Sequence, residues 1–178
     1  MRIIAGEYKG RRLETPRDYD IRPTTDKVKE AMFSIVAPNL PDSVCVDLFS
    51  GTGNLGIEAL SRGAKTCYFC DNSRNSIGLI NRNLRHCQAE EEAIVYSGDF
   101  RRNLEKINQK VDIFFVDPPY EAGFYLDIFE KIHELDLLAD DGIIVAEHRK
   151  REELPETVAG FEKIKERRYG QVVLSIYG

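Results

Sequence analysis

Three glycines in the stretch from Val44 to Gly56 have the types and spacing of a nucleoside-binding turn. Gly51, Gly53 and Gly56 match G-x-G-x-x-G, and they follow a short apolar run, 44–49, that is typical of a buried strand. Glycine lets the backbone turn sharply and lets a ligand come close, and the helix predicted to follow points its N–H groups at that ligand. The same pattern also describes a strand-to-helix turn that binds nothing, so its interpretation depends on the residues around it.

Two acidic residues favour a ligand at this turn. Asp47 lies within the apolar run, where a purely structural strand would have an apolar residue. Asp71 ends the next apolar run, 66–71, and an acid at that place can accept hydrogen bonds from both hydroxyls of a ribose. Together they predict a nucleoside-containing cofactor, for which NAD and S-adenosylmethionine are both candidates.

A second motif, Asp117-Pro118-Pro119-Tyr120, follows the apolar run 111–116. Two consecutive prolines fix the backbone and remove two N–H donors. The segment therefore presents acceptors, the Asp117 carboxylate and the Pro118 carbonyl oxygen, beside the aromatic face of Tyr120. These groups suit a planar ligand that carries an amino group, because the acceptors bind the amine hydrogens while the tyrosine stacks on the ring. A rigid turn after a strand is the structural alternative, but the glycine turn upstream favours amine binding.

Alternating strands and helices must position these motifs. Apolar periodicity predicts strands at 44–49, 66–71, 93–97, 111–116 and 142–147, and helices at 53–62, 73–87, 100–108 and 123–137. The tail breaks the alternation, since 161–168 and 171–177 have the pattern of a hairpin. We therefore predict an α/β fold with a doubly wound, mostly parallel seven-stranded sheet that includes one antiparallel strand. Ligands bind beyond the carboxyl ends of such strands, so Asp117 should face the glycine turn.

The first forty residues are predicted to be an appendage on the same core, which makes 1–178 a single domain. A hairpin-like pair, 2–5 with 11–15, precedes an irregular stretch and a helix from Thr24 or Thr25 to about residue 36. Residues 1–30 contain eight basic and six acidic side chains, whereas the net charge of the whole chain is −5. A basic arm on an acidic body can bind phosphates locally, although a solvated mixed-charge surface explains this composition equally well.

The composition is that of a globular protein. No apolar run is long enough to span a bilayer, and the first residues turn polar at once, so we expect no signal peptide and a cytoplasmic location. Cys67 and Cys70 form C-x-x-C, but residues three apart on a strand point to opposite faces of the sheet. We therefore expect buried, reduced cysteines and no metal site.

The two motifs together resemble those of amino-group methyltransferases that use S-adenosylmethionine, in which D-P-P-Y follows the fourth strand and the glycine turn follows the first. The chain resembles most the bacterial 16S rRNA guanine-N2 methyltransferase family. This similarity covers most of the chain and includes the segments 6–13, 22–33, 56–64 and 168–170. The departures are small, since Ser50 and Asn54 stand where alanine is commoner.

The resemblance implies a Rossmann-like methyltransferase fold and a set of cofactor-binding residues. They are Asp47, Gly51, Gly53, Asp71, Asp99, Phe100, Arg22 and Thr24. In this set Asp47 would receive the methionine amino group, Asp71 the ribose hydroxyls and Asp99 the adenine amine. The glycines would allow close backbone approach, Phe100 would lie beside the adenine ring, and Arg22 and Thr24 would close the pocket.

The resemblance also implies the residues that hold the substrate. Asp117, Pro118 and Tyr120 would take the target guanine, which must be flipped out of a helix or lie in a loop. Flanking phosphates would be held by Lys9, Arg11, Arg12 and Arg17. The implied partner is 16S rRNA within a small-subunit assembly particle, methylated by a monomer without a metal ion.

Other functions remain open on the residues alone. An adenine-N6 or cytosine-N4 DNA methyltransferase would use the same tetrapeptide, although the chain has no room for a separate DNA-reading domain. A nicotinamide oxidoreductase leaves D-P-P-Y unexplained, and a non-catalytic RNA-binding assembly factor leaves Asp117 without a purpose. Glu147 ends a strand near the cofactor edge and receives no role, and the run 149–151 is expected to be a solvated charge run.

Overall fold

Eight strands form one sheet in the computed structural model, which describes residues 1–16, 25–119 and 123–178. The strands are β1 Val44–Asp47, β2 Thr66–Asp71, β3 Ala93–Ser97, β4 Val111–Val116, β5 Leu138–Arg149, β6 Thr157–Val158, β7 Phe161–Tyr169 and β8 Val172–Tyr177. Their order across the sheet is β3-β2-β1-β4-β5-β8-β7-β6. Strands β1 to β5 are parallel, whereas β8 lies antiparallel between β5 and β7.

The sheet confirms the predicted α/β class and differs from the prediction in two details. The two-residue strand β6 pairs antiparallel with β7 and adds an eighth strand to the predicted seven. Strand β5 begins at Leu138 rather than at 142, because Leu138 already pairs with Val111 of β4 and the register then shifts before Ile113 pairs with Ile143. Such an irregularity depends on the neighbouring strand, which local sequence does not reveal.

Five α-helices cover the two faces of the sheet within the described residues. They are α1 Asp26–Val36, α2 Asn54–Ser61, α3 Arg74–Cys87, α4 Phe100–Glu105 and α5 Tyr125–Glu134. Thr25 and Ser73 are the N-caps of α1 and α3. The hydroxyl oxygen of each accepts the backbone N–H of the residue three positions later in the chain. The apolar sides of α1, α2 and α3 pack in one core cluster, and those of α4 and α5 in the other. None of the described helices is both long and apolar enough to cross a membrane.

The cysteines follow the predicted alternation across the sheet. Cys67 packs in the core beneath α2 and α3, whereas Cys70 packs in the core beneath α4. Both thiols are buried, and burial raises the pKa of Cys70 to about 12. The two sulfur atoms therefore lie on opposite faces of β2 and serve as small apolar groups.

A buried ion-pair network attaches the N-terminal segment to the helix that follows the glycine turn. The carboxylate of Glu58, which is completely buried, accepts from the backbone N–H groups of Ile4 (2.9 Å) and Ala5 (3.1 Å). It also lies 2.7 Å from the Lys29 ammonium of α1 and 2.9 Å from the Arg62 guanidinium. Burial acts to raise the pKa of Glu58, but these cations outweigh it and hold the pKa below its ordinary value.

The predicted hairpin-like pair at the N-terminus is present in reduced form. Arg2 and Arg12 form one antiparallel bridge, and the Ile3 N–H donates to the Arg11 carbonyl oxygen at 2.9 Å. Gly6, at φ +87°, lies so close to α2 that an added Cβ would be 1.9 Å from the Ser61 carbonyl oxygen. The N-terminal segment therefore packs on α2 through its backbone, and only glycine fits at the contact.

Candidate active site

Four carboxyl groups converge at the carboxyl edge of the parallel strands. Asp47 ends β1, Asp71 ends β2, Asp117 follows β4, and Glu147 lies near the end of β5. Strand order reverses between β1 and β4, and at such a switch point the loops separate and leave a crevice for a ligand. The edge that carries the glycine turn is thus the edge that carries the D-P-P segment.

The glycine turn has the conformation that its sequence predicts. Gly51 and Gly53 have φ values of +59° and +85°, which residues with a Cβ rarely adopt. A Cβ added at Gly51 would meet nothing within 4 Å, so open space lies above the turn. A Cβ at Gly56 would instead be 2.3 Å from the Phe69 ring, which shows that the third glycine serves the packing of α2 on β2.

Asp47 is a buried carboxyl group directly beneath this turn. It is 2 % exposed, and its Oδ2 accepts the Gly56 N–H at 3.0 Å. The pKa of Asp47 is raised to about 7, chiefly by burial and also by the Asp71 charge, while the Gly56 hydrogen bond acts in the opposite direction. A cationic group placed over the turn would remove this penalty, because it would stabilise the ionised carboxylate.

Asp71 is held by two backbone hydrogen bonds at the end of β2. Its Oδ2 accepts the Gly51 N–H at 2.9 Å, and its Oδ1 accepts the Ser73 N–H at 2.9 Å. The carboxylate therefore belongs to the glycine turn as well as to β2. Each oxygen keeps a second lone pair for a further donor such as a ribose hydroxyl.

Asp99 and Phe100 lie at the start of α4 and differ in what they can offer a ligand. Asp99 is the N-cap of α4, and its half-exposed carboxylate is 3.3 Å from Arg101. The Phe100 ring is 6 % exposed and lies 5.6 Å from the Phe49 ring and 5.7 Å from the Phe124 ring, centroid to centroid. The three rings form an apolar wall beside β1, and only Phe100 among them was predicted as a site residue.

Asp117 and Glu147 are neighbours across β4 and β5. Val116 pairs with Ala146, so the next residue on each strand is Asp117 and Glu147, and parallel pairing puts both side chains on one face of the sheet. The two carboxyl groups are close enough to interact, and this interaction acts to raise the pKa of Asp117. Burial raises the pKa of Asp117 well above its ordinary value, and the charges of Glu147 and Asp47 raise it further.

Glu147 is a further candidate site residue, to which the sequence assigned no role. It is 4 % exposed and directly follows the apolar run 143–146 of β5, which is the same signal that singled out Asp47. The backbone at this point is also held in place, because the Tyr125 hydroxyl donates to the Glu147 carbonyl oxygen at 2.6 Å. The sequence alone does not show that β5 lies next to β4 in the sheet.

Several predicted site residues lie outside the described part of the chain. These are Arg17, Arg22, Thr24 and Tyr120. Pro118, by contrast, is described and buried directly after Asp117. In the described ranges no group of three His, Cys, Asp or Glu side chains is arranged to hold a metal ion.

The predicted phosphate-binding residues of the N-terminal segment differ in availability. Lys9 and Arg12 are exposed, and Arg12 lines a surface pocket of about 360 Å³ together with Arg2. Arg11 instead donates to the Cys87 carbonyl oxygen at 2.7 Å, and its guanidinium carbon lies 5.3 Å from the centroid of the Tyr8 ring. Arg11 thus holds the N-terminal segment on α3, and Arg2 joins Arg12 as the outward-facing pair.

Known structures define the class of protein to which this fold and site belong. A putative methyltransferase from Escherichia coli superposes with a TM-score of 0.88 at 33% identity, covering 99% of this chain and 96% of the other. A putative methylase from Haemophilus influenzae superposes with a TM-score of 0.82 at 31% identity, covering 99% and 96%. The fold is that of a Rossmann-like methyltransferase, with D-P-P at the carboxyl edge.

The chain belongs to the family described as Conserved hypothetical protein 95, whose model matches residues 1–178. A putative rRNA methyltransferase of Bacillus subtilis, YlbH, is 39% identical over 180 residues, covering 99% of this chain and 98% of that protein. Ribosomal RNA small subunit methyltransferase D of Escherichia coli is 33% identical over 177 residues, covering 99% of this chain and 89% of that protein.

Proposed function

We propose that this protein transfers a methyl group from S-adenosylmethionine to the exocyclic N2 amine of a guanine in 16S rRNA. The observation that carries the proposal is the position of Asp117, at the carboxyl edge shared with the glycine turn and next to a buried second carboxyl group. Membership in a family whose named relatives include ribosomal RNA small subunit methyltransferases supports the rRNA substrate. The substrate is proposed to be an assembly particle, bound by a monomer.

The residues around the glycine turn fit the proposed cofactor. Asp47 is a buried carboxyl group with a raised pKa, which suits a site for the positively charged methionine amino group. Space is open over Gly51, and Asp71 can accept from ribose hydroxyls at the end of β2. Asp99 would accept from the adenine amine. Bound S-adenosylmethionine would supply an already activated methyl group, so neither a metal ion nor a covalent enzyme intermediate is required.

The D-P-P segment would act on the amine of the target base. An exocyclic amine is a poor nucleophile because its lone pair is delocalised into the ring. Acceptance of its N–H groups by Asp117 and by the Pro118 carbonyl oxygen would stabilise the positive charge that develops on nitrogen, which lowers the barrier electrostatically. Tyr120 would stack on the base and hold the amine in line for transfer. The charge of Glu147 would favour a protonated Asp117 before the substrate binds.

Substitution of Asp117 tests the proposed role of the acceptor. We expect Asp117→Ala to lower methyl transfer by at least about 10²-fold, because one preorganised partner of the developing charge is lost. Calorimetric affinity for S-adenosylmethionine should stay unchanged. Asp140→Ala removes an exposed carboxylate of β5 at the opposite edge and is the matched control. Turnover by Asp117→Ala at the wild-type rate would refute the role.

The identity of the product tests the proposed substrate. Labelled S-adenosylmethionine is supplied together with protein-free 16S rRNA or small-subunit particles from a strain that lacks the protein, and the labelled base is mapped. Label on the N2 of one guanine is the expected result. Label on an adenine N6 would replace the proposal with the second amino-group chemistry. RNA binding without any transfer would instead indicate an assembly factor.

A further inference from the structure

Strand β7 separates its charges onto two faces of the sheet. Glu166 and Arg168 pair with Ser175 and Val173 of β8, so they lie on one face, where the Glu166 carboxylate is 2.9 Å from Lys163 and 3.3 Å from Arg168. Successive strand residues point to opposite faces. The opposite face therefore has two of the basic groups of β7, Lys165 and Arg167, without its central acid.

This second face, which we name the hairpin face, consists of Lys165, Arg167 and Tyr169 of β7 with Arg149 of β5. Tyr169 and Arg149 both pair with Val172, and Arg167 pairs with Leu174. Lys165 and Arg167 are exposed, Tyr169 is half-buried, and neither of the two cations forms an ion pair within the described residues. The Arg167 guanidinium donates to the carbonyl oxygen of Glu166 at 2.9 Å.

The hairpin face lies in line with the proposed acceptor of the amine. Leu174 pairs with Glu147 on one side and with Arg167 on the other, so the row Asp117, Glu147, Leu174, Arg167 crosses four adjacent strands on one face. Strands are about 4.8 Å apart, which puts the Cα of Arg167 about 14 Å from that of Asp117. An RNA strand that leaves a base at Asp117 can reach Arg167 within a few nucleotides.

We propose that the hairpin face binds the RNA backbone beside the target nucleotide, on the side of the site away from β1 and the glycine turn. Lys165 and Arg167 would contact phosphates, and Tyr169 offers a partly exposed ring on which a flanking base can stack. This proposal rests on the proposed function.

Neutral substitutions on the two faces of β7 test the proposal. Arg167→Gln and Arg168→Gln change the net charge equally at adjacent residues on opposite faces, so Arg168→Gln is the matched control. Binding of a 16S rRNA fragment is measured across a range of salt concentrations. We expect Arg167→Gln to reduce the slope of log affinity against log salt by about 1, and Lys165→Gln/Arg167→Gln by about 2. Arg168→Gln should leave the slope unchanged.

Kinetics and cofactor binding separate this proposal from the function on which it rests. Arg167→Gln should raise the KM for RNA on the order of tenfold, while the affinity for S-adenosylmethionine and the thermal midpoint stay unchanged. An unaltered salt slope, or equal losses in Arg167→Gln and Arg168→Gln, would overturn the hairpin face as an RNA site. So would a loss of affinity for particles but not for protein-free RNA, since that would indicate a ribosomal protein as the partner. Failure of the wild type to methylate RNA that it binds would refute the enzymatic function alone.

Discussion

Two carboxyl groups at the centre of the site cannot both ionise at low cost. Burial raises the pKa of Asp117 well above its ordinary value, and the charge of the neighbouring Glu147 raises it further. A protonated Asp117 has one oxygen committed as a donor and accepts from an amine less strongly. The protonation state of Asp117 therefore controls how well the site can polarise its substrate.

The substitution Glu147→Gln tests whether Glu147 sets the pH dependence of methyl transfer through the pKa of Asp117. Removal of the Glu147 charge, and donation from the new amide, should lower the pKa of Asp117. Because Asp117 acts as an acceptor in its ionised form, the acidic limb of the kcat/KM profile should move to lower pH. Glu153→Gln removes the charge of an exposed acid in the loop after β5 and should leave the limb in place. An acidic limb at the same pH in Glu147→Gln would show that the pair does not set the profile.

At the scale of elements, the N-terminal segment, α1 and α2 share one charged centre. Glu58 of α2 receives two backbone N–H groups of the N-terminal segment and the ammonium of Lys29 from α1. The Lys29 ammonium also donates to the Arg2 carbonyl oxygen and to Asn54, the first residue of α2. The segment that carries the outward-facing arginines is thus fastened to the helix that begins at the glycine turn.

Glu58→Gln should destabilise the protein by about 3–5 kcal/mol, because it leaves the buried Lys29 without its counter-charge. The measurement is the free energy of unfolding in urea at neutral pH. Asp136→Asn breaks the exposed pair with Lys110, whose side chains are 54% and 89% exposed, and should change stability little. A loss in Glu58→Gln no larger than in Asp136→Asn would mean that the network contributes no more than a surface pair.

At the scale of the whole molecule, the site lowers the stability of the fold that carries it. Asp47 has a pKa of about 7 in the folded protein against an ordinary value of 3.8. A folded-state pKa above the unfolded one means that the folded protein binds the proton more tightly, so stability falls as pH rises from about 4 to about 7. This pKa difference of about three units corresponds to a loss of at most roughly 4 kcal/mol in the free energy of unfolding.

Asp47→Asn should therefore stabilise the protein above pH 7 and give no gain near pH 4. The amide oxygen can still accept the Gly56 N–H, while the buried charge is gone. Urea unfolding at several pH values measures the difference, with Asp42→Asn as the exposed control. The same substitution should weaken S-adenosylmethionine binding, since function and stability compete at this residue. A gain that does not change with pH would show that the Asp47 charge is not its cause.

The sequence by itself determined the class of fold, the glycine turn and the presence of Asp47, Asp71 and Asp117 at one edge. These features are local, because periodicity marks each strand and helix and the acids lie at strand ends. Only the tertiary structure decided that β5 places Glu147 against Asp117, that α1 and α2 share Lys29 and Glu58, and which face of β7 carries Arg167. These contacts depend on strand order and register, which are set by packing between residues far apart in the chain.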